Sequence, residues 1–180
     1  MNNVKTSTKK LAKMGVLAAI SVVLVAIIHI PFVAPVSFLE YDPADIPIML
    51  GTFAMGPWAG LILTIVTAVI QGATVSAGSG LYGIIMHILA TGANCIVAGS
   101  IYFKKKNKKR AVIALVSGAI VHTLIMIPAN LFITPAFTGW PVSAVAEVLP
   151  WIVLFNIVKT GINAVLTFIL YKRVSGILHK

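Results

Sequence analysis

Asn156, Lys159 and Asn163 sit in the otherwise apolar run Phe155-Asn156-Ile157-Val158-Lys159-Thr160-Gly161-Ile162-Asn163. Their spacing puts all three on one face of a helix. In hydrocarbon each side chain that can hydrogen-bond needs a partner, supplied by another helix or by a ligand. A lysine at that depth is costly and so usually functional. The face reads as a ligand-contacting strip or as a polar seam between helices, with Lys159 snorkelling or paired to an acid among Glu40, Asp42 and Asp45. Asn130 adds an amide at similar depth in the preceding apolar stretch, whereas Asn94 reads as helix packing.

Those three acids belong to the second dense region, Pro35-Val36-Ser37-Phe38-Leu39-Glu40-Tyr41-Asp42-Pro43-Ala44-Asp45-Ile46-Pro47. Pro43 biases Asp42 away from helix, and Asp45 near the start of the next helix is placed to cap free N–H groups. Capping leaves Phe38, Leu39 and Tyr41 unexplained. Three large apolar or aromatic groups in a short loop suit a lid over a flat organic ligand, or else an interfacial aromatic belt.

Other chemistries find no support. No Gly-x-x-x-x-Gly-Lys-Ser/Thr run is present to cradle nucleotide phosphates, so a partner must hydrolyse any ATP. His29, His87, His122 and His179 are scattered, with no metal-ligand spacing among them. The single Cys95 permits no internal disulfide. No Gly-x-Ser-x-Gly elbow occurs, and Gly78-Ser79-Gly80 reads as a turn. An enzyme would have to rely on Glu147 and His122, which nothing in the sequence places together; we expect none, and no resident cofactor.

The elements that position these residues follow from the cations. Of 14 Lys and Arg residues, all but Lys159 fall in three clusters: Lys5, Lys9, Lys10 and Lys13; Lys104, Lys105, Lys106, Lys108, Lys109 and Arg110; and Lys172, Arg173 and Lys180. Long apolar stretches separate them, and all four acids lie in or beside those stretches. The composition is 59% hydrophobic and 10% charged, far from that of a soluble chain. The net charge of +10 therefore points to lipid-facing cytoplasmic loops and not to nucleic acid. With about 20 residues per crossing, six helices fit, near 11–30, 44–57, 58–75, 81–103, 111–134 and 148–171, with an outer loop through Pro135, Gly139 and Pro141. The expected protein is an all-α, multi-pass protein of the cell membrane, one domain over 1–180 with both termini cytoplasmic. The apolar runs lack the alternation of membrane β-strands.

No small-x-small cleavage site follows the first apolar run before Pro31 and Pro35, so an uncleaved first helix is expected. Within it Gly15-x-x-x-Ala19, with Ala12 and Ala18 beside them, lets another backbone approach closely, whether from this chain or another subunit.

Together, the Phe38–Pro47 loop, the turn Gly56-Pro57-Trp58-Ala59-Gly60 and the late Phe155-Asn156-Ile157-Val158-Lys159 resemble the S components of energy-coupling factor vitamin transporters, most closely their riboflavin-binding branch. The resemblance covers nearly the whole chain. It implies a six-helix membrane subunit that takes a water-soluble vitamin from outside, docks on a transmembrane coupling subunit driven by two ATPase subunits, and tips over in the membrane to deliver its ligand. It also implies a docking face at Gly15 and Ala19. Residue by residue, Asn130, Asn156 and Lys159 match flavin-contacting positions, and Leu39 a loop position that covers the ring. With the loop acids, the expected binding set is Leu39, Glu40, Asp45, Asn130, Asn156 and Lys159. Riboflavin binders usually carry Glu-x-x-Lys-Asn in the third helix, where this chain has Thr64, Thr67 and Ala68. The tract Gln71–Gly80, rich in small hydroxyl residues, leaves room for another vitamin of pyridoxal or pantothenate type. A solitary ion-coupled carrier is disfavoured, because the helix centres lack carboxylates.

Overall fold

The computed structural model describes residues 2–178, with side chains from 8 to 173. The side chain of Lys5 and residues His179 and Lys180, all counted above, lie outside the described residues. Among the described residues the fold is all-helical: α1 (Asn2–Ile27), α2 (Asp45–Met55), α3 (Pro57–Ala73), α4 (Gly80–Lys104), α5 (Lys108–Thr138) and α6 (Val142–Leu178), with a 3-10 turn at Ala34–Val36. Four stretches are long and apolar enough to cross a membrane: Thr8–Ile27, Gly80–Lys104, Lys108–Thr138 and Val142–Arg173. The protein is a multi-pass membrane protein.

The second expected span is corrected. α2 has 11 residues, about 16 Å at the helical rise, which is about half of the hydrocarbon thickness. It begins about a third of the way in, because the 28–44 connection dips back into the bundle. Ser21 Oγ donates to Ala44 O across 2.9 Å, and Ser21 lies about 9 Å inside the end of α1 at the helical rise. At its other end Gly56 packs beside Phe103, near the end of α4. All of Asp45 through Ala54 is buried, as expected of a helix surrounded on every side. The re-entering backbone can persist at that depth only if its polar groups are paired. Ile30 and Tyr41 exchange both backbone hydrogen bonds at 2.9 Å, Val36 and Leu39 donate to Val33 and Val36, and Ala44 N–H donates to Asp42 Oδ1.

Two further boundaries differ. The loop expected through Pro135 is shorter: α5 continues through Pro128 and Pro135 to Thr138, and Gly139 closes it at φ +74°. Each proline removes one helical hydrogen bond, and nearby hydroxyls supply others, Thr138 Oγ1 donating to Thr134 O and Thr134 Oγ1 to Asn130 Oδ1. α6 begins at Val142 and runs 37 residues through Pro150, about 55 Å, so it projects beyond the hydrocarbon.

The turn at Gly56-Pro57 is where expected. Gly56 takes φ +103°, a backbone state that glycine tolerates, and Pro57 starts α3. α4 packs against α3 and α5, α5 against α6, and α1 against α2 and α3. A Cβ on Gly99 would lie 2.8 Å from Pro57 Cα, so α4 needs a glycine there to approach α3. The apolar core, including Ile48, Phe53, Leu63, Cys95 and Ala114, fills the end near Lys104–Arg110. Because α2 occupies only that half, the opposite half holds a cavity.

Candidate functional site

The cavity encloses about 580 Å³, within the range of sites that hold drug-sized ligands. Its wall comes from the re-entering loop, the α3–α4 connection, α4, α5 and α6. Phe38, Tyr82, Phe137 and Phe155 give it an aromatic lining, and Met86, Ala90, Met126 and Ile133 add apolar surface. Phe38 rests edge-on against Trp140, and Tyr82 lies 5.7 Å from Phe137 between ring centroids. The loop is therefore folded over the bundle: Phe38, Leu39 and Tyr41 pack on a cluster of Val33, Val36, Val145, Ile152 and Phe155. Phe38 and Leu39 reach the cavity from this loop, whereas Tyr41 does not line it.

The polar groups divide into a layer at the wall and a layer beneath it. Leu39, Glu40, Asn156 and Lys159 line the cavity, as does Asp42. Lys159 Nζ donates to Asp42 Oδ2 across 2.7 Å, each side chain retaining 13% exposure. Loop and α6 are thus tied by an ion pair at the cavity edge, and two further ammonium N–H bonds remain for other partners. Asn156 Nδ2 donates to Ile152 O and the Asn156 side chain also meets His122, leaving its second N–H for another partner.

Asp45 does not cap α2, which has no side-chain cap. Instead it is buried beneath the cavity at 2% exposure. Thr91 Oγ1 donates to its Oδ1 across 2.8 Å, His87 Nε2 stands 3.5 Å from the same oxygen, and Asn163 Nδ2 approaches Oδ2 at 3.4 Å. Asn163 also accepts from Tyr41 OH at 3.1 Å. The one-face trio is accordingly split: Asn156 and Lys159 face the cavity while Asn163 locks the loop to α6 under it.

Asn130 is fully buried, and its amide is engaged within α5, donating to Met126 O and accepting from Thr134 Oγ1. Thr134, not Asn130, lines the cavity there. Three histidines that the sequence left scattered also line it, His29, His87 and His122, and the last two each have a buried ring nitrogen without a hydrogen-bond partner. These two are 35 residues apart, and no local pattern joins them. Glu147 is exposed on α6 and is not part of the lining.

The third-helix departure falls behind the wall. Thr64, Thr67 and Ala68 are buried, Thr64 Oγ1 donates to Gly60 O and lies 3.7 Å from Cys95 Sγ, and none of the three lines the cavity. From the small hydroxyl tract that follows, Ser76 and Ser79 do reach it. On α1, Gly15 and Ala19 are exposed, as is Ala12, and nothing lies within 4 Å of a Cβ built on Gly15. Ala18 does not share that face; it is buried in the core against the rest of the bundle.

Comparison with known proteins bears on the family and the fold. Residues 9–171 match the family described as ECF transporter, substrate-specific component. The chain is 29% identical over 180 residues to the riboflavin transporter RibU of Staphylococcus aureus (strain TCH60), covering 96% of this chain and 93% of that one. It is 27% identical over 165 residues to the riboflavin transporter FmnP of Bacillus subtilis (strain 168), covering 84% of each. A solved S component of a bacterial ECF transporter superposes with a TM-score of 0.81 at 30% identity, over 97% of this chain and 99% of that chain.

Proposed function

Because the chain belongs to the substrate-specific components of ECF transporters, we propose that it captures riboflavin in the α4–α5–α6 cavity and passes it inward as one binding domain of a larger transporter. The observation that carries this is an aromatic-lined cavity of about 580 Å³ with an ammonium and an amide at one wall. A flat tricyclic ring suits such walls by stacking, and its carbonyl and ring-nitrogen acceptors suit Lys159 and Asn156 as donors. Leu39 and Glu40 close the site from the lid. Asp45 holds the floor through Thr91, Asn163 and His87, and Asn130 fixes Thr134 at the wall while keeping one N–H and one lone pair in reserve. The riboflavin transport of the relatives supports the choice of vitamin. So does the placement of Thr64, Thr67 and Ala68 away from the lining, which confines the third-helix departure to the packing behind it.

The chain itself does no chemistry in this reading. Its partners are a transmembrane coupling subunit and two ATPase subunits, met through the Gly15–Ala19 face. The lysine-rich end with both termini lies in the cytoplasm, following the charge asymmetry, and the lid faces outward.

Purified protein is expected to bind riboflavin with one site per chain, seen as quenching of flavin fluorescence, and to carry a flavin band near ~450 nm when it copurifies with ligand. Absence of flavin binding, with a pyridoxal or pantothenate compound recovered by mass spectrometry, would replace the substrate and keep the transporter.

Orientation has its own test. In a Cys95→Ala background, Ser37→Cys is expected to react with an impermeant thiol reagent on intact cells and Lys106→Cys only after lysis. The reverse pattern overturns the orientation.

A further inference from the structure

A second concavity, of about 290 Å³, opens at the lysine-rich end. Its floor is built from buried aromatic rings. Phe53 stacks on Tyr102 with centroids 4.3 Å apart, Tyr171 meets both edge-on, and the Tyr171 hydroxyl donates to Phe53 O. Exposed Lys106, Lys108 and Lys172 border it. Asn107 also lines it; its Oδ1 accepts the Arg110 N–H, which leaves the amide NH2 as a donor beside the first turn of α5. The positive end of that helix dipole adds to the field.

Among the described residues these lysines meet no carboxylate, and Lys106 Nζ lies 4.0 Å from the centroid of the Phe103 ring. The chain has four acidic side chains, and Glu40, Asp42, Asp45 and Glu147 all belong to the other half of the bundle. Three ammonium groups around a concavity, one helix N-terminus and an amide NH2 form a site for a phosphate group. The surroundings favour a lipid as its source. Close to the lysines, α5 exposes Val112 and Ile113, and α6 exposes Ile169 and Leu170, apolar surface on which acyl chains can lie. Basic pockets between helices at the cytoplasmic side of membrane proteins suit anionic headgroups on the same grounds.

We infer that this concavity holds the phosphate headgroup of an anionic phospholipid from the adjoining leaflet, with its acyl chains along α5 and α6. The site is separate from the vitamin cavity and does not depend on which vitamin is carried. Occupancy would brace the lysine-rich loop against α6, because Lys106 and Lys108 lie on one side of the headgroup and Lys172 on the other.

Native mass spectrometry of the full chain released from detergent, titrated with phosphatidylglycerol or phosphatidylcholine, tests this directly. The wild type is expected to retain one phosphatidylglycerol in preference to phosphatidylcholine. Lys106→Gln, Lys108→Gln and Lys172→Gln combined should weaken that binding by at least about tenfold, given the attraction each lysine contributes near anionic lipid. The same three changed to Arg should retain it. Lys9→Gln, Lys10→Gln and Lys105→Gln combined remove equal charge outside the concavity and should also retain it. Thermal unfolding in lipid-free detergent checks that all variants are folded. Equal retention, or equal loss, in the two glutamine triples overturns the site. Inorganic phosphate or glycerol phosphate binding as tightly as phosphatidylglycerol overturns the lipid as its source.

Discussion

Lys159→Met is expected to weaken riboflavin binding by about 1.5–3 kcal/mol, roughly ten- to a hundredfold, through loss of one charge-assisted hydrogen bond. The methionine keeps most of the apolar stem, so the change is to the charge. The structure adds a complication, since Lys159 Nζ already pairs with Asp42 Oδ2 at 2.7 Å. Removing the lysine strands a largely buried carboxylate, which itself costs stability. A second substitution separates the two effects. Asp42→Asn in the Lys159→Met background removes the stranded charge and should restore apo stability, while affinity stays low if Lys159 touches the ligand. Asn156→Leu should lower affinity similarly, and Lys109→Met, at the far end of the bundle, should leave it unchanged. The measurement is flavin titration beside thermal unfolding of the ligand-free protein for each variant. Recovery of both stability and affinity in the double variant would assign Lys159 to the lid's attachment alone.

The ion pair also illustrates what a sequence can and cannot disclose here. Lysine clusters and long apolar runs reveal α4, α5 and α6 as spans, because bilayer thickness and charge cost act on local composition. Lys159 and Asn156 stand out for the same reason, as polar groups in hydrocarbon. Asp45 reads in the sequence as a residue that can cap a helix or meet the ligand, whereas it lies buried at the start of α2 without capping it. Its sequence neighbours describe a helix start, but not the depth at which that helix starts, which depends on the 28–44 connection folding back against Ser21. Pro135 reads locally as a loop, yet α5 runs on through it to Thr138, and Thr134 and Thr138 add side-chain hydrogen bonds at that turn. Nothing in the sequence joined His87 to His122. Their meeting at one cavity is a product of α4 packing on α5, and two isolated histidines in apolar runs give no spacing from which to infer it.

Gly15→Trp and Ala19→Trp are expected to reduce vitamin uptake to background while ligand binding by the isolated subunit is unchanged. The prediction rests on where these residues sit. Nothing within 4 Å meets a Cβ on Gly15, and Ala19 is exposed on the same face, so an indole at either position enters open space and leaves the bundle intact. What it removes is the close backbone approach that small residues permit between membrane helices, where packing replaces the hydrophobic effect as the source of affinity. A face made for lipid would tolerate the indole, since acyl chains rearrange around it. A face made for another helix would not, because the bulk separates the two backbones along the whole contact. Phe132→Trp supplies the comparison: Phe132 is 81% exposed on α5, and its replacement should leave uptake near the wild-type level. The assays are copurification with the coupling subunits, uptake of labelled vitamin by cells, and flavin titration of the isolated protein. Normal copurification and uptake by both α1 variants would remove this face as the docking surface. Loss of uptake together with loss of ligand binding would show a damaged fold, and the same would be visible in thermal unfolding of the isolated subunit. Only uptake lost with binding and stability kept identifies a surface whose work is done against a partner.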